Sequence, residues 1–291
     1  MRKLLLVLVA AFAMILGYAA PASAITGDFV EDNEHPFVGL VVFYDDAGEF
    51  THRCSGALLT PTVFLTAGHC TQGASTARVY FQQDAGANLD PVTGVDPVTG
   101  YPETCAAGTL GVLCATSDEL YDFGFTNTLP NTMDAGIVVL DQPIMLAEYG
   151  SLAVAGSLDQ FATARGQKNL TVTASGYGLT EVNPVRFTSF RERLMAEAKI
   201  TNLRSALTDG FNLQTNGNGL GKGGTCSGDS GGPVFYGGFE SNTIVAVTSF
   251  GLNQWCRGVD FAYRTDQAAV LEWIESVIGP EEFAQIDFVT I

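Results

Sequence analysis

Seven short runs between Phe37 and Gly251 set the strongest limit on how this chain can fold. They are FVGLVVFY (37–44), SGALLT (55–60), ARVYF (77–81), GIVVL (136–140), TVTASGYG (171–178), GPVFY (232–236) and IVAVTSFG (244–251). Each is rich in β-branched or aromatic residues, and Gly, Pro, Asn or Asp separate them. Many short strands at that spacing describe an all-β barrel or sandwich. Arg191–Thr201 (RERLMAEAKIT) carries helix formers, yet Leu194, Ala196, Ala198 and Ile200 alternate with Arg193, Met195, Glu197 and Lys199. Period two in this setting predicts a strand. One helix is expected near the end, where Val270, Ile274, Val277 and Ile278 share a face until Gly279-Pro280 stops it.

The chain opens Met1-Arg2-Lys3, continues with an apolar run from Leu4 to Leu16 and reaches Ala22-Ser23-Ala24. A basic start, a short apolar stretch and an A-x-A end describe a secretory signal peptide over residues 1–24. A secreted protein with no stable membrane association after cleavage is the expectation. The net charge of −17 argues against nucleic acid, because phosphate binding needs a basic surface. Cys54, Cys70, Cys105, Cys114, Cys226 and Cys256 all follow the signal segment, an even set that reads as disulfides in an exported chain. Six cysteines allow 15 pairings, so counting alone leaves the connectivity open. No C-x-x-C or H-E-x-x-H occurs, so no metal or other cofactor is expected. Residues 82–130 read as an elaborated surface loop clipped by Cys105–Cys114. It contains DPVTG twice between Asp90 and Gly100, and Asp84, Asp90, Asp96 and Glu103 are oxygen donors of the kind Ca²⁺ takes, although solvated acidic turns are the simpler reading.

The sharpest chemical signal is GTCSGDSGGPV, Gly224–Val234. A serine set among glycines leaves backbone on all sides of Ser230, with room for a carbonyl to approach and with the amides of Gly228 and Ser230 free to turn inward as an oxyanion hole. The pentapeptide Gly228–Gly232 also fits the G-x-S-x-G elbow, but there the histidine follows the serine, and every histidine here precedes Ser230. The base is therefore His35, His52 or His69. His69 lies in LTAGHC after an apolar strand, whereas His35 (EHPF) and His52 (THRC) read as surface or turn histidines. The best acid to fix the imidazole is Asp134, which heads the apolar strand in MDAGIVVL.

Together these segments resemble the trypsin/chymotrypsin-like serine endopeptidases over nearly all of the chain after Ala24. The matching blocks are CSGALLTPTVFLTAGHC (Cys54–Cys70), DAGIVVL, SGYG (Ser175–Gly178), GDSGGP and SFG (Ser249–Gly251). The resemblance implies two packed antiparallel Greek-key β-barrels with a C-terminal helix, residues 25–145 forming the first barrel and 146–291 the second, with the site in the cleft between them. It implies bridges Cys54–Cys70 and Cys226–Cys256. It also implies a triad of His69, Asp134 and Ser230 that cleaves peptide bonds through an acyl-enzyme, with Gly228 and Ser230 as oxyanion donors. Protein or peptide substrates and a monomer are expected.

The same resemblance gives Ile25-Thr26-Gly27-Asp28 a role. It stands where relatives begin with Ile-Val-Gly-Gly, whose new ammonium pairs with the aspartate before the nucleophile, here Asp229. Signal cleavage would then also activate the enzyme. Asp28 departs from the pattern, as does Phe250 where relatives often carry Trp. Gly224, Thr225, Ser249, Phe250 and Gly251 are the expected substrate-binding positions. Gly224 lacks the charge that gives trypsin its basic preference. An apolar preference is expected, with Phe261 narrowing the pocket to small or medium apolar side chains; the alternative is Asp260 pointing inward and restoring a basic preference. The rival outside enzymes is an inactive binding protein on the same fold. Such relatives usually lose a triad member, and all three are present here. An esterase with the same triad is a third reading.

Overall fold

The computed structural model describes residues 25–85, 101–102, 104–162, 170–189, 191–217 and 222–291. The signal segment, the DPVTG repeat, Asp90, Asp96 and Glu103 lie outside them.

Two short strands, β1 (Thr26–Gly27) and β2 (Val30–Glu31), lead the described chain. Next come β3 (Val38–Tyr44), β4 (Phe50–Leu58), β5 (Val63–Thr66), the short helix α1 (Gly68–Thr71), β6 (Thr76–Tyr80), β7 (Cys114–Ser117), β8 (Glu119–Asp122) and β9 (Gly136–Val139). These strands make an antiparallel sheet in the order β7-β6-β3-β4-β5-β9-β8. Its two edges are consecutive in the chain, and the Ser117 hydroxyl donates to the Val139 carbonyl at 2.6 Å, so the sheet nearly closes. β3 reads as a continuous apolar run rather than an alternation because it is covered on both faces; Val38 through Phe43 are all buried.

The second half supplies β10 (Ser151–Ala153), β11 (Thr171–Gly176), the hairpin of β12 (Glu181–Asn183) and β13 (Arg186–Thr188), β14 (Leu194–Asn202), β15 (Asn212–Asn216) and β16 (Gly223–Gly224). β17 (Pro233–Phe235), β18 (Thr243–Gly251), β19 (Val259–Arg264) and β20 (Phe288–Val289) complete it. The path β17-β11-β14-β15-β19-β18 returns to β17 and closes a barrel. β10 joins β18 and β20 in parallel at the outside, a local exception to antiparallel pairing. The strand expected in Arg191–Thr201 is present as β14.

The barrels are not independent. β2 pairs with β14 of the second sheet, and β1 makes a separate two-stranded sheet with β16, so the first residues of the described chain pair with strands of the second half. Arg193 is 3% exposed. It sends Nε to the Asp32 carbonyl (2.9 Å) and Nη1 to the carbonyls of Val38 (3.1 Å) and Phe81 (3.2 Å), across to the first barrel. One apolar cluster runs from Phe37 and Leu65 through Phe235 and Val247 to Val270 and Ile274. Those last two lie on α2 (Ala268–Ile278), the expected helix. Burying each aliphatic side chain contributes about 1.5–3 kcal/mol. Gly279-Pro280 does end α2, and Pro280 starts another turn, α3 (Pro280–Phe283).

Two histidines depart from the sequence reading. His35 is not at the surface but fully buried, stacked on Phe235 at 4.2 Å. Its Nδ1 meets the Asp32 carboxylate at 2.9 and 3.0 Å, and Nε2 donates to the Ser241 carbonyl at 3.2 Å. Ser175 adds a 2.5 Å hydrogen bond to Asp32. Burial opposes ionisation of Asp32, but His35, Arg193 and Ser175 outweigh it and hold the carboxyl below its ordinary value. His52 lies in β4 rather than in a turn, stacked on Phe43, with Nε2 donating to the Cys70 carbonyl at 2.8 Å. Burial holds its imidazole below the ordinary value.

Candidate active site

Strand β4 is the scaffold on which the site hangs. Cys54, inside β4, is bridged to Cys70 in α1, and His69 is the residue before that cysteine. Ser55, the next residue of β4, donates its backbone N–H to the Ser230 carbonyl at 2.8 Å and its hydroxyl to the Gly228 carbonyl at 2.8 Å. Neighbouring residues of one strand thus tie down the histidine segment and the serine loop, whose sequence positions lie far apart.

Asp134 precedes β9 and is 1% exposed. Its carboxylate meets His69 Nδ1 at 2.9 and 3.0 Å, accepts the His69 backbone N–H at 2.8 Å and accepts the Ser249 hydroxyl at 2.5 Å. Two anchors fix the imidazole to the carboxylate, and the second barrel supplies the third partner. The His69 side chain keeps 27% of its surface exposed. Among the described residues, no hydrogen bond joins His69 Nε2 to Ser230 Oγ.

The serine loop has the local form its glycines allow. Gly228 sits at φ +99°, a conformation that L side chains rarely adopt. The N–H groups of Asp229, Gly231 and Gly232 are donated to Cys226, Thr248 and Asp229 carbonyls. Among the described residues, the N–H groups of Gly228 and Ser230 go to no protein acceptor. Asp229 is fully buried. Its Oδ1 accepts Gly178 N–H at 2.8 Å and its Oδ2 accepts Cys226 N–H at 2.9 Å. Burial pushes its carboxyl up to about 7, against the pull of those amides. Ile25 is also fully buried, packed with Leu194 and Ala196, and Thr26 pairs with Gly224.

A hollow of about 340 Å³ opens beside Ser230, lined by Thr225, Ser249, Phe250, Gly251, Cys256 and Asp260 among others. Of the two residues proposed from sequence for its floor, Asp260 lines it and Phe261 does not. Phe261 is 2% exposed and lies behind the wall, stacked on Phe250 at 4.6 Å. The Asp260 carboxylate accepts the Thr225 N–H at 3.0 Å. A Cβ at Gly224 would lie 2.9 Å from Asp260 Oδ2, so a larger residue there would push that carboxylate aside. Burial raises the Asp260 carboxyl to about 6. An adjoining hollow of about 480 Å³ is lined by His69, Phe125 and Leu129, and the two share Ser249, Phe250, Gly251 and Leu252.

The bridges Cys54–Cys70, Cys105–Cys114 and Cys226–Cys256 are present. Cys54, His69 and Cys70 cluster closely enough to suggest a metal site, but both sulfurs are in the bridge and have no thiolate to offer. Sequence reasoning missed Asn131 and Tyr263, which lie below Asp134. No local pattern marks either one, since they meet only when β19 packs under the loop before β9.

Comparison with known proteins agrees with this architecture. The chain is similar to brachyurin of Leptuca pugilator, 28% identical over 243 residues that cover 82% of this chain and 91% of that protein. It is similar to serine protease 7 of Drosophila melanogaster, 27% identical over 267 residues, covering 85% of this chain but only 63% of the fly protein. Among solved structures, HL collagenase superposes with a TM-score of 0.59 at 16% identity, over 88% of this chain and 98% of that one. The scabies mite inactivated protease paralogue S-D1 superposes with a TM-score of 0.60 at 16% identity, again over 88% and 98%. At such identities the structures show a shared fold. Residues 24–274 match the family model described as Trypsin, and the chain belongs to that family.

Proposed function

We propose that the chain is a secreted serine endopeptidase whose nucleophile is Ser230, with His69 as base and Asp134 as its orienting carboxylate. The observation that carries this reading is the buried Asp134 carboxylate, which binds both His69 Nδ1 and His69 N–H beside a serine loop with two uncommitted amides. His69 Nε2 takes the Ser230 proton as Oγ attacks a peptide carbonyl. The Gly228 and Ser230 amides hold the oxyanion. His69 then protonates the leaving amine, and water releases the acyl group by the reverse exchange. The missing Ser230–His69 hydrogen bond is compatible with this role, because such bonds are often long without substrate and tighten in the complex.

For the substrate side chain, Asp260 replaces Phe261 as the residue that sets the preference. Among the described residues lining the hollow, Asp260 is the one ionisable side chain, so an extended Lys or Arg side chain is the occupant that best matches it. The buried Ile25 and the β1–β16 pairing support activation by a cleavage that frees the Ile25 nitrogen to pair with Asp229. A carboxylate buried without its partner costs about 3–5 kcal/mol, enough to hold the loop back until that charge arrives. The three bridges suit an oxidising compartment and hence secretion.

A binding protein without activity is the second reading. Human heparin binding protein and an inactivated mite paralogue share this fold, and no Ser230–His69 bond is formed among the described residues. Labelling with a fluorophosphonate separates the two. A hydrolase is labelled in the wild type and not in Ser230→Ala; a wild type that resists the reagent is the binding protein.

A further inference from the structure

We infer that Tyr263, acting from the second barrel through Asn131, is a positioning residue for Asp134. The inference rests on the proposed triad and adds a member that the triad does not contain.

Tyr263 lies on β19 and is fully buried. Its hydroxyl donates to Asn131 Oδ1 at 2.8 Å. The same oxygen accepts the Met133 N–H at 3.1 Å. Met133 has φ +49°, a left-handed conformation that a residue other than glycine keeps only where its surroundings hold it. Asp134 is the next residue. The Asn131 carbonyl therefore holds the strained turn that aims the carboxylate, and Tyr263 holds Asn131. Burial pushes the Tyr263 hydroxyl well above its ordinary value, with the Asp134 charge adding to that shift, so it stays a donor.

This link complements the direct one. Ser249 on β18 bonds the carboxylate itself. Val247 of β18 and Tyr263 of β19 are register partners, so adjacent strands of the second barrel grip Asp134 and its turn at two points. Without Tyr263, Asn131 Oδ1 keeps the Met133 amide but loses the contact that fixes its own rotamer. The turn can then relax and carry Asp134 away from His69 Nδ1.

The test is Tyr263→Phe, which keeps the ring, alongside Asn131→Ala and the double variant, each assayed on a peptide amide. Tyr263→Phe is expected to lower kcat about tenfold with KM within about twofold, as for a lost positioning hydrogen bond. Because both residues act through one contact, the double variant should fall about tenfold rather than a hundredfold. The low-field proton resonance of His69 Nδ1, which reports the His69–Asp134 bond without turnover, should move upfield in Tyr263→Phe. An unchanged kcat, a multiplicative double variant or an unmoved proton each overturns the inference. A wild type that neither hydrolyses nor labels, yet whose proton moves in Tyr263→Phe, overturns the hydrolase reading and leaves the positional link standing.

Discussion

The protein contains two aspartate–histidine pairs of nearly the same geometry, each built on a buried carboxylate, and they do different things. Asp134 meets His69 Nδ1 at 2.9 Å, and Asp32 meets His35 Nδ1 at 2.9 Å. Each aspartate also accepts a serine hydroxyl at 2.5 Å, from Ser249 and Ser175. The difference lies at the far nitrogen. His35 Nε2 meets the Ser241 carbonyl at 3.2 Å, so both ring nitrogens already face protein partners inside the fold. His69 Nε2 has no acceptor among the described residues, and its ring lines the cleft. A short aspartate–histidine contact therefore does not identify a base. An unspent nitrogen open to substrate is also needed. The His35 pair is a brace: Asp32 and His35 precede β3, while Ser175, Ser241 and Phe235 come from the second half.

The largest effect expected of this contrast is on turnover. Ser230→Ala or His69→Ala should lower kcat by about 10⁴-fold or more, measured on a peptide amide, with the thermal midpoint nearly unchanged. His35→Ala should do the reverse. It leaves Asp32 buried without its main partner, which costs about 3–5 kcal/mol in denaturant unfolding, while activity per folded molecule is retained. A His35→Ala variant that is stable but inactive would erase the distinction.

The pair at Asp32 also carries a pH signature. Its carboxyl is held below the ordinary value of 3.8, so its ionised form stabilises the fold above that value. The contribution is lost as pH falls through the lower folded-state value, and Asp32→Asn should flatten the acid end of the stability curve. Asp260 has the opposite sign. Burial raises its carboxyl to about 6, so it is neutral below that pH and anionic above it. The ratio of kcat/KM for Arg over Leu substrates should climb roughly tenfold between pH 5 and 7, and Asp260→Asn should abolish the climb. Ser249→Ala is expected to cost less still, a few-fold in kcat, because Asp134 keeps both of its His69 contacts.

Much of this was legible in the sequence for physical reasons. The strand of Val38–Tyr44 and the alternation in Leu194–Ile200 follow from burial patterns that reach no further than neighbouring residues. His69, Asp134 and Ser230 stood out because short apolar strands and glycine turns flank them. His35 was misread because only a distant loop and strand show that its ring is enclosed; EHPF looks like any polar turn. Phe261 and Asp260 alternate along β19, and one residue of register decides which faces the hollow. That register is set by pairing with β18, which sequence does not reveal. Tyr263 was invisible for the same reason.

One consequence follows from the placement of Cys54 and Ser55 side by side in β4. The groups proposed to exchange a proton ride on a common rail, although they come from opposite halves of the protein. Thermal sliding of one half over the other drags the histidine and the serine the same way and largely preserves their separation. Removing the Cys54–Cys70 bond loosens that shared motion; because the bridge is buried from added reductant, the change is made by Cys54→Ala with Cys70→Ala, and turnover should fall further than the thermal midpoint.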